Sequence, residues 1–345
     1  MIRVEGKRQR WEALDSLRGL TVLLMLPVNA AMEFEAIPPW FKHAPGPGMT
    51  LADFIMPAFL FALGLSSSLS LRRRLAERGL ARTAAHALAR SALLFAFGTI
   101  GFFLVWERRN WEILQMLGAT GALAFPFLFM PPRPRAAAAL CLVGAVEAAR
   151  QAFFDGAFRA WYASGIGGPA GAVPLAAVAI AASALGEAVH GLAPRRRGAR
   201  AAGAGAATLA AGLALSAIQP PDKHMVTASY LLIATGTAAL ALAAIETASA
   251  ARGAVGGAAG PTAAGVGASA PGATAHAAPI AGLLGALGRN ALFAYMGGGI
   301  LTLAARAVFG TASAAPIAWS ASVLVLGIVA LVCLVLDRKG IYLRL

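Results

Sequence analysis

Six polar side chains stand where an apolar chain would be expected to avoid them. Asp15 and Arg18 lie three residues apart, on one face of a helix, and read either as a helix cap with an interfacial ion pair or as part of a binding mouth. Asn29 follows Arg18 by eleven residues, a rise of about 16 Å along a helix. An amide at that depth serves as interhelical glue or as a hydrogen-bond donor to a reacting carbonyl. Pro27 beside it removes one helical hydrogen bond and predicts a kink. The following loop, EFEAIPPWFKHAPGPGM (residues 33–49), is stiffened by proline and carries a single imidazole, His43, with Trp40 and Phe41 as interfacial anchors. An isolated loop histidine is commonly only solvated. Thr50 and Asp53 then open the next helix as cap and first-turn acid, a position that also brings a carboxylate near His43.

Other polar groups recur at segment ends: Glu112 with Gln115, Glu147 with Arg150, Glu187 with His190, and Asn290 with Tyr295 beside Arg289. Snorkelling to the interface explains most of the charged ones. His86, His224 and His276 are read as cytoplasmic, outer-loop and linker residues. No zinc-ligand spacing, P-loop, dinucleotide fingerprint or serine elbow occurs, and no metal is expected. Cys141 and Cys333 lie far apart inside apolar runs and are read as buried thiols without a disulfide.

The elements that must position these groups follow from composition. Of 345 residues, 59% are hydrophobic and only 13% charged, and the mean hydropathy is +0.70. Soluble domains carry roughly 25% charged residues, so an ordinary cytosolic enzyme, a disordered chain and a disulfide scaffold are all excluded. The net charge of +14 comes from short Lys/Arg clusters between apolar runs, which fits the positive-inside rule and not a nucleic-acid footprint. The fold class is all-α, a polytopic transmembrane bundle. Ten runs are long enough to cross a bilayer, near 17–36, 50–71, 84–106, 112–130, 136–155, 172–191, 200–218, 226–248, 287–309 and 315–336. Several are Ala- and Gly-rich, which predicts close helix approach. Placing both termini in the cytoplasm puts 20 of the 29 Lys and Arg residues on the inner side. A signal peptide in the first run is the less favoured reading, since Pro27 and Asn29 interrupt it and further spans follow. Residues 1–248 are read as an eight-span core, 249–278 as a flexible Ala/Gly/Pro-rich cytoplasmic linker, and 279–345 as two last spans with a basic tail. No soluble domain is expected on either side of the bundle.

LDSLRGLTVLLMLPVN (14–29), WFKHA (40–44) and MTLADFIMPAFLFALG (49–64) resemble, in order and spacing, the heparan-alpha-glucosaminide N-acetyltransferase family of transmembrane acyltransferases. Weaker matches are ILQMLG (113–118), GPAG (168–171), DKHMVTASYLL (222–232) and GRNALFAY (288–295). The resemblance implies transfer of an acetyl group from cytosolic acetyl-CoA to an extracytoplasmic amino sugar or glycan. It makes His43 the counterpart of the family's essential histidine and Asn29 that of its membrane asparagine. Asp53 is then a third catalytic candidate, Arg18, Asp15, Gln115 and Asn290 candidates for holding acetyl-CoA, and Trp40 and Lys223 for the acceptor. Met116, Ala170 and Val226 depart from the family pattern. Short loops point to a bacterial inner membrane, and a homodimer stays open. The rival function is a transporter or flippase of a small or lipid-linked substrate, although no internal repeat is found; a third reading is an inactive member acting only as a membrane partner.

Overall fold

A computed structural model describes residues 11–106, 111–153, 160, 162, 166–258 and 272–343. Among them there are ten α-helices and no strands: α1 Glu12–Met32, α2 Ile55–Trp106, α3 Ile113–Ala124, α4 Pro132–Phe153, α5 Gly168–Val189, α6 Pro194–Ser216, α7 Ala228–Ala258, α8 Gly272–Arg289, α9 Ala291–Phe309 and α10 Ala315–Arg338. The all-helical membrane bundle expected from composition is therefore what forms. Seven segments are long and apolar enough to cross a membrane, against ten expected runs. The difference has clear origins. The second and third runs are joined in α2, which breaks only at Gly79 (φ 73°), a left-handed conformation that glycine adopts without a Cβ penalty. The run at 112–130 is a short α3 continued by a 3-10 turn, Phe125–Phe129. α6 is diluted by Ala, Gly and four arginines.

α1 continues through Pro27 to Met32. The ninth run does not begin at 287: the chain breaks at Asn290, between α8 and α9. Helices α7 and α8 enter both ends of the expected linker, and 259–271 lie outside the described residues. Cys333 is buried, but Cys141 is exposed on α4. That correction follows from the bundle's solvent: α4 turns most of its surface outward, and an apolar run in a membrane protein can face lipid as well as a core.

Small residues set the closest contacts, as expected in lipid where apolar burial gives no net drive. A Cβ on Gly288 would come within 1.8 Å of the Asp15 carbonyl oxygen, and one on Gly19 within 1.8 Å of that of Leu284. Backbone therefore lies against backbone where α1 crosses α8. Gly64 meets Ala179 in the same way between α2 and α5, and Gly205 and Gly236 face one another between α6 and α7.

Charged pairs join the segments assigned to the inner side to one another. Arg197 binds Glu246 at 2.8 Å, with Trp11 under the guanidinium, and buried Arg135 binds Glu187 at 3.0 Å. At the other end Arg306 binds Glu33 at 3.0 Å, and Gln219 donates to Glu147 at 2.8 Å.

Candidate functional site

The site is built where the 33–50 loop folds back on the start of α2. Pro39–Phe41 form one 3-10 turn and Leu51–Phe54 a second. Between them Lys42 donates from Nζ to the Phe34 carbonyl at 2.8 Å, and Phe41 packs edge-on against Trp319, with ring centroids 4.9 Å apart. Gly48 N–H donates to the Pro221 carbonyl at 2.6 Å, tying the loop to the α6–α7 connection.

Asp53 is at the centre of this fold-back. Its Oδ2 accepts from Thr50 N at 2.9 Å, Thr50 Oγ1 at 3.0 Å and Ala44 N at 3.2 Å. The capping role read from the sequence is thus real, and it uses only one oxygen. The other, Oδ1, lies 2.7 Å from His43 Nδ1 and 3.2 Å from Lys223 Nζ. Tyr230, itself buried, donates its hydroxyl to the Asp53 carbonyl at 3.0 Å. The side chain is fully buried, so five hydrogen-bonding or ionic contacts replace its hydration.

This geometry fixes the imidazole. With Nδ1 bound to an acceptor-only carboxylate, the ring carries its proton on Nδ1 when neutral, which leaves Nε2 as a lone-pair acceptor. Nε2 has no partner among the described residues, and the side chain is 34% exposed. A buried orienting acid on one ring nitrogen and an accessible second nitrogen is the arrangement of a general base or nucleophile.

Lys223 does not face outward as an acceptor-binding residue would. Its side chain is 5% exposed and turned onto Asp53. Burial pushes its ammonium pKa down, and the Asp53 charge opposes that shift. Asp222 organises the same turn, accepting from His224 N at 2.7 Å and Met225 N at 3.2 Å. His224 Nε2 lies 3.3 Å from the Ala44 carbonyl oxygen. Val226, a departure from the family pattern, holds a positive φ of 48° and fits against Gly167 and Gly171.

Asn29 is half-buried in the last turn of α1, and its side chain makes no hydrogen bond among the described residues. Val28 beside it and Ala52 beside Asp53 belong to one apolar cluster, so α1 and the Asp53 turn are packed together. Trp40 is 65% exposed at the loop tip.

The remaining candidates lie away from this cluster. Gln115 is committed at both ends of its amide: Oε1 accepts from Glu112 N at 2.7 Å, and Nε2 donates to Thr99 at 3.0 Å. Asn290 is wholly buried, donating to the Ala286 carbonyl at 3.2 Å, with Oδ1 unpartnered among the described residues. Arg18 lies 3.4 Å from Asp15 and lines a cavity of about 130 Å³ between α1, α2, α3 and α9. Arg90 lines it too. It was passed over in the sequence, although an arginine inside an apolar run of α2 is itself the signal that should single it out.

Comparison with known proteins supports the family resemblance. Residues 10–168, just under half the chain, match the family model described as heparan-alpha-glucosaminide N-acetyltransferase, catalytic. The human protein named heparan-alpha-glucosaminide N-acetyltransferase is 32% identical over 145 residues, 38% of this chain and 21% of that protein. The mouse protein of the same name is 33% identical over 138 residues, 36% of this chain and 20% of that protein. The match thus spans about a fifth of the length of these relatives. The family-model match contains Asn29, His43 and Asp53, while Lys223 lies beyond it.

Proposed function

We propose that this integral membrane protein is an acyltransferase that moves an acetyl group from cytosolic acetyl-CoA to an amino sugar or glycan on the outer side. The observation that carries the proposal is the 2.7 Å contact between His43 Nδ1 and buried Asp53, with Nε2 left accessible. The family match covers the same residues.

In this reading Asp53 holds the ring with its Nε2 lone pair toward the reacting carbonyl and stabilises the positive charge the ring acquires. Lys223 is the cation paired with that carboxylate. Nε2 removes a proton from the acceptor amine or hydroxyl as that atom attacks the thioester carbonyl. The acyl C–S bond then breaks and the thiolate takes the proton back from the imidazolium. In the covalent variant Nε2 attacks the thioester carbonyl first, the C–S bond breaks and coenzyme A leaves as its thiolate, and an Nε2-acetyl-imidazolium remains. The acceptor then attacks that acetyl carbonyl, the C–Nε2 bond breaks to return the neutral ring, and the acceptor's proton passes to the departing thiolate. Asn29, with its amide uncommitted, donates to the developing oxyanion, a contact worth roughly 2.7–4 kcal/mol in enzymes where it has been removed.

The test is acetyl transfer from labelled acetyl-CoA by the purified chain in proteoliposomes, with glucosamine or a cell-envelope glycan outside. His43→Ala is expected to abolish turnover, and near-wild-type turnover by that variant would refute the assignment. Label retained on the chain in the absence of acceptor distinguishes the covalent route from the direct one.

A further inference from the structure

Resting on the acyltransferase reading, we infer that Arg90 and Arg74, on the two arms of α2, bind the phosphate groups of the acyl donor inside the bundle. Arg90 is the starting point. Its Nε is buried without a hydrogen-bond partner, and no carboxylate among the described residues lies within ion-pair distance of its guanidinium. An arginine held inside an apolar bundle without a counter-charge is costly, and in membrane proteins such a group faces a ligand path. Other interior and end-of-helix arginines are matched to acids: Arg135 to Glu187, Arg197 to Glu246 and Arg289 to Asp337.

Two cavities meet at Arg90. One, of about 130 Å³, also contains Arg18; the other, of about 100 Å³, contains Arg74 and His86. Leu63 lines both. The first arm of α2 presents Leu63, Ser66, Ser67, Ser70 and Arg74 to them, the three- and four-residue spacing of one helix face. This face combines hydroxyls with cations and starts from the arm that Asp53 opens. Leu63 stands ten residues beyond Asp53, a rise of about 15 Å. An acyl arm of pantetheine length extends on the order of 15–20 Å by ordinary covalent geometry. Leu63 shares both cavity walls with Arg90, so phosphates seated there would leave a thioester near the His43–Asp53 pair. Arg74, twenty-one residues and about 32 Å along the helix from Asp53, would meet the far, nucleotide end of the donor. Planar guanidinium groups suit such oxyanions better than ammonium groups do.

Phosphate esters also occur on lipid headgroups, so the test separates the two sources. The full chain, purified in detergent, is titrated calorimetrically with coenzyme A and with pantetheine, which lacks the phosphates. Arg90→Gln and Arg74→Gln should each weaken coenzyme A at least tenfold and leave pantetheine within twofold. Equal loss for both ligands, or coenzyme A affinity unchanged in the variants, overturns the inference. Retention of phosphatidylglycerol that depends on Arg90, with coenzyme A binding that does not, overturns it in favour of a lipid headgroup. A wild-type chain that binds no coenzyme A refutes the acyltransferase reading itself. Should Arg90→Gln fail to give monodisperse protein, Arg74→Gln carries the same comparison.

Discussion

The Asp53–Lys223 pair allows stability and catalysis to be separated experimentally. Asp53→Asn keeps the side-chain shape but removes the charge shared by His43 Nδ1 and Lys223 Nζ. Both members of the pair are almost inaccessible, at 0% and 5% side-chain exposure, so a single neutralisation leaves a buried ammonium without its counter-charge. Breaking such a pair costs about 3–5 kcal/mol, whereas replacing both members together is close to neutral. The amide also puts an NH₂ group in place of one of the two oxygens, facing either His43 and Lys223 or Thr50 and Ala44, adding about 1–3 kcal/mol for donors left unmatched. Asp53→Asn should therefore lower the thermal midpoint clearly, Lys223→Met should lower it by a similar amount, and the double variant should regain part of the loss. Turnover should behave differently. An imidazole whose orienting acid becomes an amide is turned toward the wrong tautomer, a change worth about 10⁴-fold where a His–Asp pair has been tested in this way. The double variant should thus melt nearer to wild type than Asp53→Asn and remain inactive. Intrinsic tryptophan fluorescence on heating and labelled acetyl transfer supply the two readouts. Strictly additive midpoints in the double variant would refute the coupling, and turnover within tenfold of wild type would refute the orienting role of Asp53.

The other expectations follow from single contacts. Asn29→Ala should reduce turnover by about 10²–10³-fold without a measurable change in thermal midpoint, because no hydrogen bond of that side chain exists among the described residues to be lost. Gln115→Ala removes the group that caps α3 through Glu112 N and bridges to Thr99; it should cost about 0.5–2 kcal/mol of stability and leave coenzyme A affinity within twofold, measured calorimetrically. Gly288→Val places a side chain where a Cβ alone would already lie 1.8 Å from the Asp15 carbonyl oxygen, so α1 and α8 should fail to dock, seen as loss of the monodisperse peak on size exclusion; Gly297→Ala, where the nearest atom to a new Cβ is 3.9 Å away on Phe293, should be tolerated.

What could be read in advance and what could not divides along physical lines. Apolar run lengths report most of the spanning helices, because the bilayer makes length and hydropathy the controlling variables, but not that two runs would join in α2 or that those at 112–130 and 200–218 would fall short. The same runs do not report which face is turned to lipid, and so Cys141 looked buried. Asp53 was legible as a cap from Thr50-x-x-Asp spacing, yet its two oxygens have separate duties that no local pattern reveals. Lys223 lies 170 residues away in sequence, and contacts such as Gly48–Pro221, His224–Ala44 and Tyr230–Asp53 bring it to the carboxylate. Gln115 shows the opposite case: a polar residue at the edge of an apolar run looks available for a ligand, and the fold spends both its groups on capping and on Thr99. Arg90 was hidden by the opposite habit, the reading of arginines in apolar chains as interfacial snorkels.

α2 gives these parts a common frame. Its first arm carries Asp53's turn at one end and Arg74 near the other, and Gly79 lets the chain reverse so that Arg90 returns to the same cavity wall. The distance between an anion at Arg90 and a carbonyl at His43 is then set by the helical rise of the first arm, with the Gly79 break returning Arg90 to the cavity wall and the Asp53 contact holding His43 at the other end. That arrangement makes the site a ruler: an acyl donor with a shorter arm cannot hold both ends at once, because each missing backbone-like unit removes about 3.3–3.6 Å of reach. Shortening the arm by one such unit should therefore cost turnover more than binding, since the phosphates still find Arg90 while the thioester falls short of Nε2. A longer acyl group makes the complementary comparison, because it lengthens the donor beyond the reacting carbon and leaves the phosphate-to-thioester span unchanged. If the truncated donor instead loses binding and turnover in equal measure, the two ends are not held to a fixed separation, and α2 does not act as the gauge.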